Sequence, residues 1–237
     1  MGEGIGNDAT IMPLISSANI ACGYHAGDAV TMQQTIELCI QHHVAIGAHP
    51  SFYDTENFGR TEINLPVQEL YELITQQLFI FNEVALSLNQ KIHHVKPHGA
   101  LYNLSAKDQL TANIIARAIK DFDSDLILYG LSGSHSITEA KKVGLKTASE
   151  VFADRTYQDD GSLTPRSQPN ALLENTEDAI QQVVQMIKEK TVTTLSGKKI
   201  PITADTICIH GDGKNAVAFA QTISQTMKQH NIAIKAL

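Results

Sequence analysis

The chain has 237 residues, 43% of them hydrophobic, and no Pro/Gly/Ser-rich linker or charge block divides it, so a single domain over 1–237 is expected. The formal charge of -7 is spread without a basic cluster, which argues against nucleic acid or an anionic membrane surface as the main partner. Three cysteines, no basic leader before an apolar run and no apolar stretch of about eighteen residues or more point to a reducing, cytoplasmic setting rather than secretion or membrane spanning.

The first apolar run, Ala18 to Cys22, carries Asn19 inside it and breaks at Gly23 into a loop bearing His25 and Asp28. It reads as a buried strand that delivers polar groups at its end. Asp28 can cap a helix whose stripe is Met32, Ile36, Cys39 and Ile40, ending before His43. A second strand, Val44 to Gly47, leads to His49. Pro66 suits a first helical position, and Leu70, Ile74, Leu78, Phe81, Ala85 and Leu88 then hold one face for six turns. A third strand, Ile92 to Val95, leads to Lys96 and His98. Ser105 with Asp108 resembles a capping box, followed at helical spacing by Leu110, Ile114 and Ala118. The run Ile127 to Gly130 leads to a Gly/Ser turn and a short helix over Ser136 to Val143, which Gly144 stops. Ala148 to Phe152 leads to Asp154 and Arg155, and a helix follows over Glu177 to Lys188. Thr191 to Leu195, Ser196-Gly197 and Lys199 to Thr203 read as a β-hairpin over 191–203, since Gly permits the positive φ of a tight turn. A last strand, Thr206 to Ile209, leads to His210 and Asp212, and a helix over Ala216 to Lys228 closes the chain before Asn231.

Strand, loop and helix in repetition predict an α/β fold with a parallel sheet. Polar groups gathered at the strands' C-terminal ends favour a (β/α) barrel-like arrangement, although an open doubly wound sheet shares the pattern. In that arrangement His25, His49 and His98 open on one edge of the sheet, where three imidazoles can bind a metal or handle protons. Pro50 pushes His49 into extended backbone, and Pro97 forbids the helix that a His94/His98 zinc pair would need. Gly99 lets the backbone approach a ligand, and Lys96 offers a point charge to a phosphate or carboxylate. Glu150, Asp154 and Arg155 span a strand end, either as an ion pair bracing the loop or as part of a site. Arg60 and Arg166 are candidates for an anionic group. Gly130-Leu-Ser-Gly-Ser134 is too short for a phosphate-cradling loop and lacks its lysine.

Several motifs are specific. Ser17-Ala-Asn-Ile-Ala-Cys-Gly-Tyr-His-Ala-Gly-Asp28, Gly47-Ala-His-Pro-Ser51, Phe58-Gly-Arg60, His94-Val-Lys-Pro-His-Gly-Ala-Leu-Tyr-Asn103, Glu150-Val-Phe-Ala-Asp-Arg155 with Tyr157, Pro165-Arg-Ser167 and Ile207-Cys-Ile-His-Gly-Asp212 resemble the LamB/YcsF family. The resemblance runs from Gly2 to about Asn231. It implies the A subunit of a bacterial 5-oxoprolinase, which opens 5-oxoproline to L-glutamate at the expense of ATP together with subunits B and C. It also implies a barrel-like fold similar to that of carbohydrate deacetylases. Members of the family begin with a strand carrying Asp, Asn and Asp before a Gly-Glu-Gly, here Gly2-Glu3-Gly4, so this chain is expected to lack the first strand.

Against that reaction, His25, His49, Lys96, His98 and Asp154 are the catalytic candidates, and Asn19, Arg60, Glu150, Arg155, Arg166 and His210 the substrate-binding ones. A divalent metal, if present, falls to His25, His49 and His98. Two other functions compete: a metal-dependent amidohydrolase or deacetylase needing no ATP, and a regulatory subunit that binds a lactam without turning it over.

Overall fold

A computed structural model describes residues 1–213 and 216–237. Its core is one six-stranded parallel sheet in the order β1 (Ser17–Ala21), β2 (Ala45–His49), β3 (His94–Val95), β4 (Ile127–Leu131), β5 (Lys146–Phe152) and β8 (Thr206–Cys208). Each of the first four strands hands over to the next through helices: α2 (Ala29–His42), α3 (Val67–Ser87), α4 (Gly99–Lys107) with α5 (Gln109–Phe122), and α6 (His135–Lys142). Between β5 and β8 the chain forms α7 (Thr176–Lys188) and an antiparallel pair, β6 (Thr191–Thr193) and β7 (Lys199–Pro201). A short α1 (Asp8–Ile11) with a 3₁₀ turn precedes β1, and α8 (Ala216–Gln229) follows β8.

The sheet curves as a half-barrel whose ends are β1 and β8. On the free edge of β1, the Met1 amine donates to Asn19 O and Met1 O accepts from Ala21 N–H, the hydrogen-bond pattern of a parallel pairing. The apolar side chains of β1 to β4 pack with α2, α3 and α5 into the larger core, including Ile20, Ile36, Ile74, Phe81, Val95 and Ile119. The second cluster gathers β5, α7, β6 and α8 around Val151, Val183 and Phe219. Among the described residues no helix is long and apolar enough to cross a membrane.

The predicted stripe of α3 is buried as expected at Leu70, Ile74, Leu78, Phe81 and Ala85, and Asp28 caps α2 by accepting from Thr31 N–H. One local expectation is corrected. Ser105 lies in the last turns of a helix, α4, that the spacing does not predict, and Asp108 is itself the N-cap of α5, accepting from Thr111 N–H. Gly99 takes a left-handed φ of +54°, and a Cβ there would overlap Gly59 O, so the packing of the loop requires glycine at this position.

Candidate functional site

All six strands run the same way, so their C-terminal ends share one edge, as parallel strands require. β2 ends in His49, β3 is followed at once by Lys96, Pro97 and His98, and β5 carries Glu150 before the turn to Asp154 and Arg155. Pro97 has no N–H for the ladder, which fits the end of β3 at Val95 and the extended link that carries His98. A cavity of about 880 Å³ opens there, lined by Glu3, Asn19, His49, Arg60, Lys96, His98, Tyr102, Glu150, Arg166, Cys208 and His210 among others. It continues between the sheet's two edge strands, β1 and β8, to an apolar wall of Ile223 and Met227 on α8.

His49 and His98 form a chain. His49 Nδ1 is 2.6 Å from Lys96 O, His98 Nε2 is 2.8 Å from Phe58 O, and His49 Nε2 faces His98 Nδ1 at 3.0 Å. A carbonyl accepts only, so each ring spends a proton on its carbonyl and, when neutral, turns a bare nitrogen toward the other. Burial, then the positive neighbours, hold both imidazoles below their ordinary range, His98 at about 3. Two facing lone pairs repel, and the space beside them suits a cation shared between them. Glu3 completes a group in which one donor atom from each of Glu3, His49 and His98 lies within 4.8 Å of the others. Imidazole nitrogens and a carboxylate oxygen are a donor set that zinc and other divalent ions accept.

His25 stands behind this group and is not among the residues lining the cavity. Its ring stacks on His98 at 3.8 Å and 6°, with Nδ1 3.0 Å from Ser51 Oγ and Nε2 3.3 Å from Glu3 Oε1. The three histidines expected together are therefore together, but Glu3 takes the ligand position that the sequence suggested for His25. Burial pushes the Glu3 carboxyl up, and the N-terminal ammonium and His25 more than offset this, leaving it at about 2.

Lys96 is 5% exposed, and its ammonium meets Glu150 Oε1 at 2.7 Å and Cys208 Sγ at 3.1 Å. Burial pulls its pKa down, but Cys208 and Glu150 outweigh burial and keep it charged. The rings of Phe152 and Tyr102 lie 5.1 and 5.4 Å from the same nitrogen, a cation–π setting. Cys208 is half-buried on the cavity wall, and burial raises its thiol to about 12.

The remaining candidates divide. Asn19 accepts through Oδ1 from His94 Nε2 at 3.0 Å and lines the cavity. Arg60 pairs with Asp212 at 2.6 Å and sits near Arg166, whose guanidinium is depressed by burial and by Arg60. His210 Nδ1 is 2.9 Å from both oxygens of Asp154, which stands behind it rather than on the wall. Arg155 is not paired with Glu150. Its Nε donates to Ala171 O and its Nη2 to Thr164 O, so it braces the segment from 155 to 172.

Glu3 and Tyr102 are the residues that sequence reasoning missed. Glu3 lies ahead of the first readable strand in a glycine-flanked triplet, and Tyr102 falls in a stretch for which the spacing predicts no helix. Only the proximity of Glu3 to His25, and of Tyr102 to Lys96, gives them a place.

The LamB/YcsF family model matches residues 1–237. A protein of Shouchella clausii described as the A subunit of 5-oxoprolinase is 54% identical over 232 residues, covering 98% of this chain and 92% of its own. A protein of Tolumonas auensis with the same description is 51% identical over 233 residues, covering 98% and 93%. The crystal structure of a lactam utilization protein from Thermus thermophilus superposes with a TM-score of 0.93 at 37% identity, covering 100% of this chain and 97% of that one.

Proposed function

Since the chain belongs to the LamB/YcsF family, we propose that it is the A subunit of a 5-oxoprolinase and that its cavity opens the 5-oxoproline ring to L-glutamate, with ATP consumed and subunits B and C as partners. The observation that carries this reading is the single cavity shared by His49, His98 and Lys96 at the strand ends, with Arg60 and Arg166 beside it.

A five-membered lactam resists water because its amide is resonance-stabilised. In the proposed course the lactam oxygen attacks the γ-phosphorus of ATP and ADP leaves. Water then adds to the activated carbon as a base takes its proton, and the ring C–N bond breaks with its electron pair and a proton going to nitrogen. A second water releases phosphate from the acyl phosphate, giving glutamate, ADP and phosphate from 5-oxoproline, ATP and two waters. His98 and His49 are the proposed base pair, with His25 steering His98 from behind. Lys96 steadies negative charge that builds on oxygen, and Arg60 and Arg166 receive carboxylate or phosphoryl groups. Asn19, Glu150 and His210 position the ring; Asp154 acts through His210, and Arg155 shapes the wall. The sequence carries no Gly-x-x-x-x-Gly-Lys-Ser/Thr loop, so part of the nucleotide site is assigned to a partner.

A second reading has support in the bare nitrogens of His49 and His98. With Glu3 they would hold a divalent cation, whose contribution when bound is to acidify a water molecule without ATP. Measuring glutamate from 5-oxoproline separates the readings, using the purified chain alone and with subunits B and C, with and without ATP and a chelator. The main proposal expects glutamate only with partners and ATP. Glutamate without ATP that a chelator abolishes would replace it with the metal reading, and none under any condition would leave a regulatory role in lactam binding.

A further inference from the structure

Among the described residues three imidazoles line the cavity, those of His49, His98 and His210, and they differ in what they can do with a proton. His49 Nδ1 and His98 Nε2 are tied to backbone carbonyls, and their other nitrogens face each other at 3.0 Å. A proton taken from water by this pair settles between the two facing nitrogens, so the pair is built to accept. His210 is the reverse case. Its Nδ1 lies 2.9 Å from both oxygens of Asp154, which accept only, so that nitrogen carries a hydrogen, while Nε2 makes no hydrogen bond among the described residues. Phe152 backs the ring, with centroids 5.5 Å apart and planes at 23°, and the His210 side chain is 24% exposed on the cavity wall. A carboxylate behind an imidazole fixes its tautomer and balances the positive charge of the ring while both nitrogens hold protons. His210 follows β8, whereas His49 ends β2 and His98 follows β3, so the two centres reach the cavity from different parts of the sheet. Lys96 links them, its carbonyl on His49 and its ammonium 3.1 Å from Cys208.

We propose that His210, held by Asp154, is the general acid of the cavity and passes the proton on Nε2 to the ring nitrogen of the lactam as the ring opens. The inference rests on the reading of the cavity as a 5-oxoprolinase site. Nitrogen leaves a tetrahedral carbon only as it gains a proton, because the anion it would otherwise become is far too basic to be expelled. In this step the C–N electron pair moves to nitrogen while nitrogen takes the proton from Nε2, which gives the primary amine of the opened chain and a neutral His210. The ring then recovers a proton from solvent, to which the His49/His98 pair releases the one it took from water. Two imidazole centres divide the work, one serving water and the other the leaving nitrogen. The contact by which His210 positions the lactam is accordingly one to its nitrogen.

Steady-state glutamate formation by the complex with subunits B and C tests the assignment, with parent, His210→Ala and His210→Gln each checked for assembly by size-exclusion chromatography. A positioned acid typically contributes 10²–10⁴-fold, so kcat of both variants is expected to fall by about a hundredfold or more while KM for 5-oxoproline stays within about threefold. Added imidazole, which fits the space left by the ring, is expected to restore the His210→Ala rate by about tenfold or more. If His210→Ala does not assemble, the kcat and KM of His210→Gln decide. An assembled variant with near-parental kcat, a loss carried by KM instead of kcat, or a fall in His210→Ala that imidazole does not relieve overturns the acid and leaves the 5-oxoprolinase reading standing, because the parent still makes glutamate. A parent complex that makes no glutamate removes that reading, and the acid with it.

Discussion

Lys96 and Glu150 illustrate what a buried charge does when it is also part of a candidate site. Each is nearly inaccessible, and they meet at 2.7 Å. Removing one leaves the other charged and unpaired in a poor solvent, which typically costs about 3–5 kcal/mol, whereas replacing both with apolar groups is often neutral. Lys96→Met is therefore expected to lower the urea midpoint strongly, and Lys96→Met with Glu150→Leu to recover most of the loss while glutamate formation stays absent. Recovery of turnover with stability would reduce the pair to a structural brace. Asp154 gives a pH signature. Burial raises its pKa, but the His210 contact more than offsets this and leaves it below the ordinary carboxylate value. A depressed carboxylate contributes stability in full above its unfolded pKa, about 3.9, and loses it as pH falls through the lower folded value. Asp154→Asn should thus be less stable than the parent at neutral pH, by about 1.5–3 kcal/mol for a charged hydrogen bond. The gap should close as the pH drops below about 4, in denaturation curves of both chains.

At the level of elements, the parallel strands and their order of appearance were legible because each is a short apolar run ending in a polar loop, and α3 because its stripe persists for six turns. Two elements hid. α4 begins at Gly99, directly after Pro97 and His98, and those residues read as a loop; its helical start rests on tertiary packing, since Ala100 N–H reaches Gly59 O. The cap at Asp108 was misassigned because Ser105 three residues earlier has equal capping chemistry, and only the chain's bend between α4 and α5 decides between them. Convergence of His25, His49 and His98 followed from parallel direction, whereas the depth of each side chain did not: alternation cannot say that His25 and Asp154 stand one layer behind the wall. Close packing between strands adds a prediction. A Cβ at Gly47 would overlap the His94 imidazole, which is fully buried, stacked on Tyr129 and bonded to Asn19. Gly47→Ala should lose roughly 1–3 kcal/mol or more in denaturation. An unchanged midpoint would mean that His94 can shift without cost.

At the scale of the whole molecule, the half-barrel places its chemistry where the sheet is open. The cavity reaches from the strand ends down between β1 and β8, so one side is charged and the other, against α8, apolar. In the proposed function that shape takes a small ring with a carboxylate, with the nucleotide brought by a partner. The resemblance read from the motifs is upheld by the family match over 1–237 and by the half-barrel shared with the Thermus thermophilus protein. Everything proposed for this cavity converges on His98, which touches His49, stacks on His25 and lines the wall. The most direct measurement is the rate of glutamate formation from 5-oxoproline and ATP by the complex with subunits B and C, parent against His98→Ala, with assembly checked by size-exclusion chromatography. The account predicts an assembled complex that forms no glutamate; an assembled His98→Ala complex turning over at a near-parental rate would contradict it.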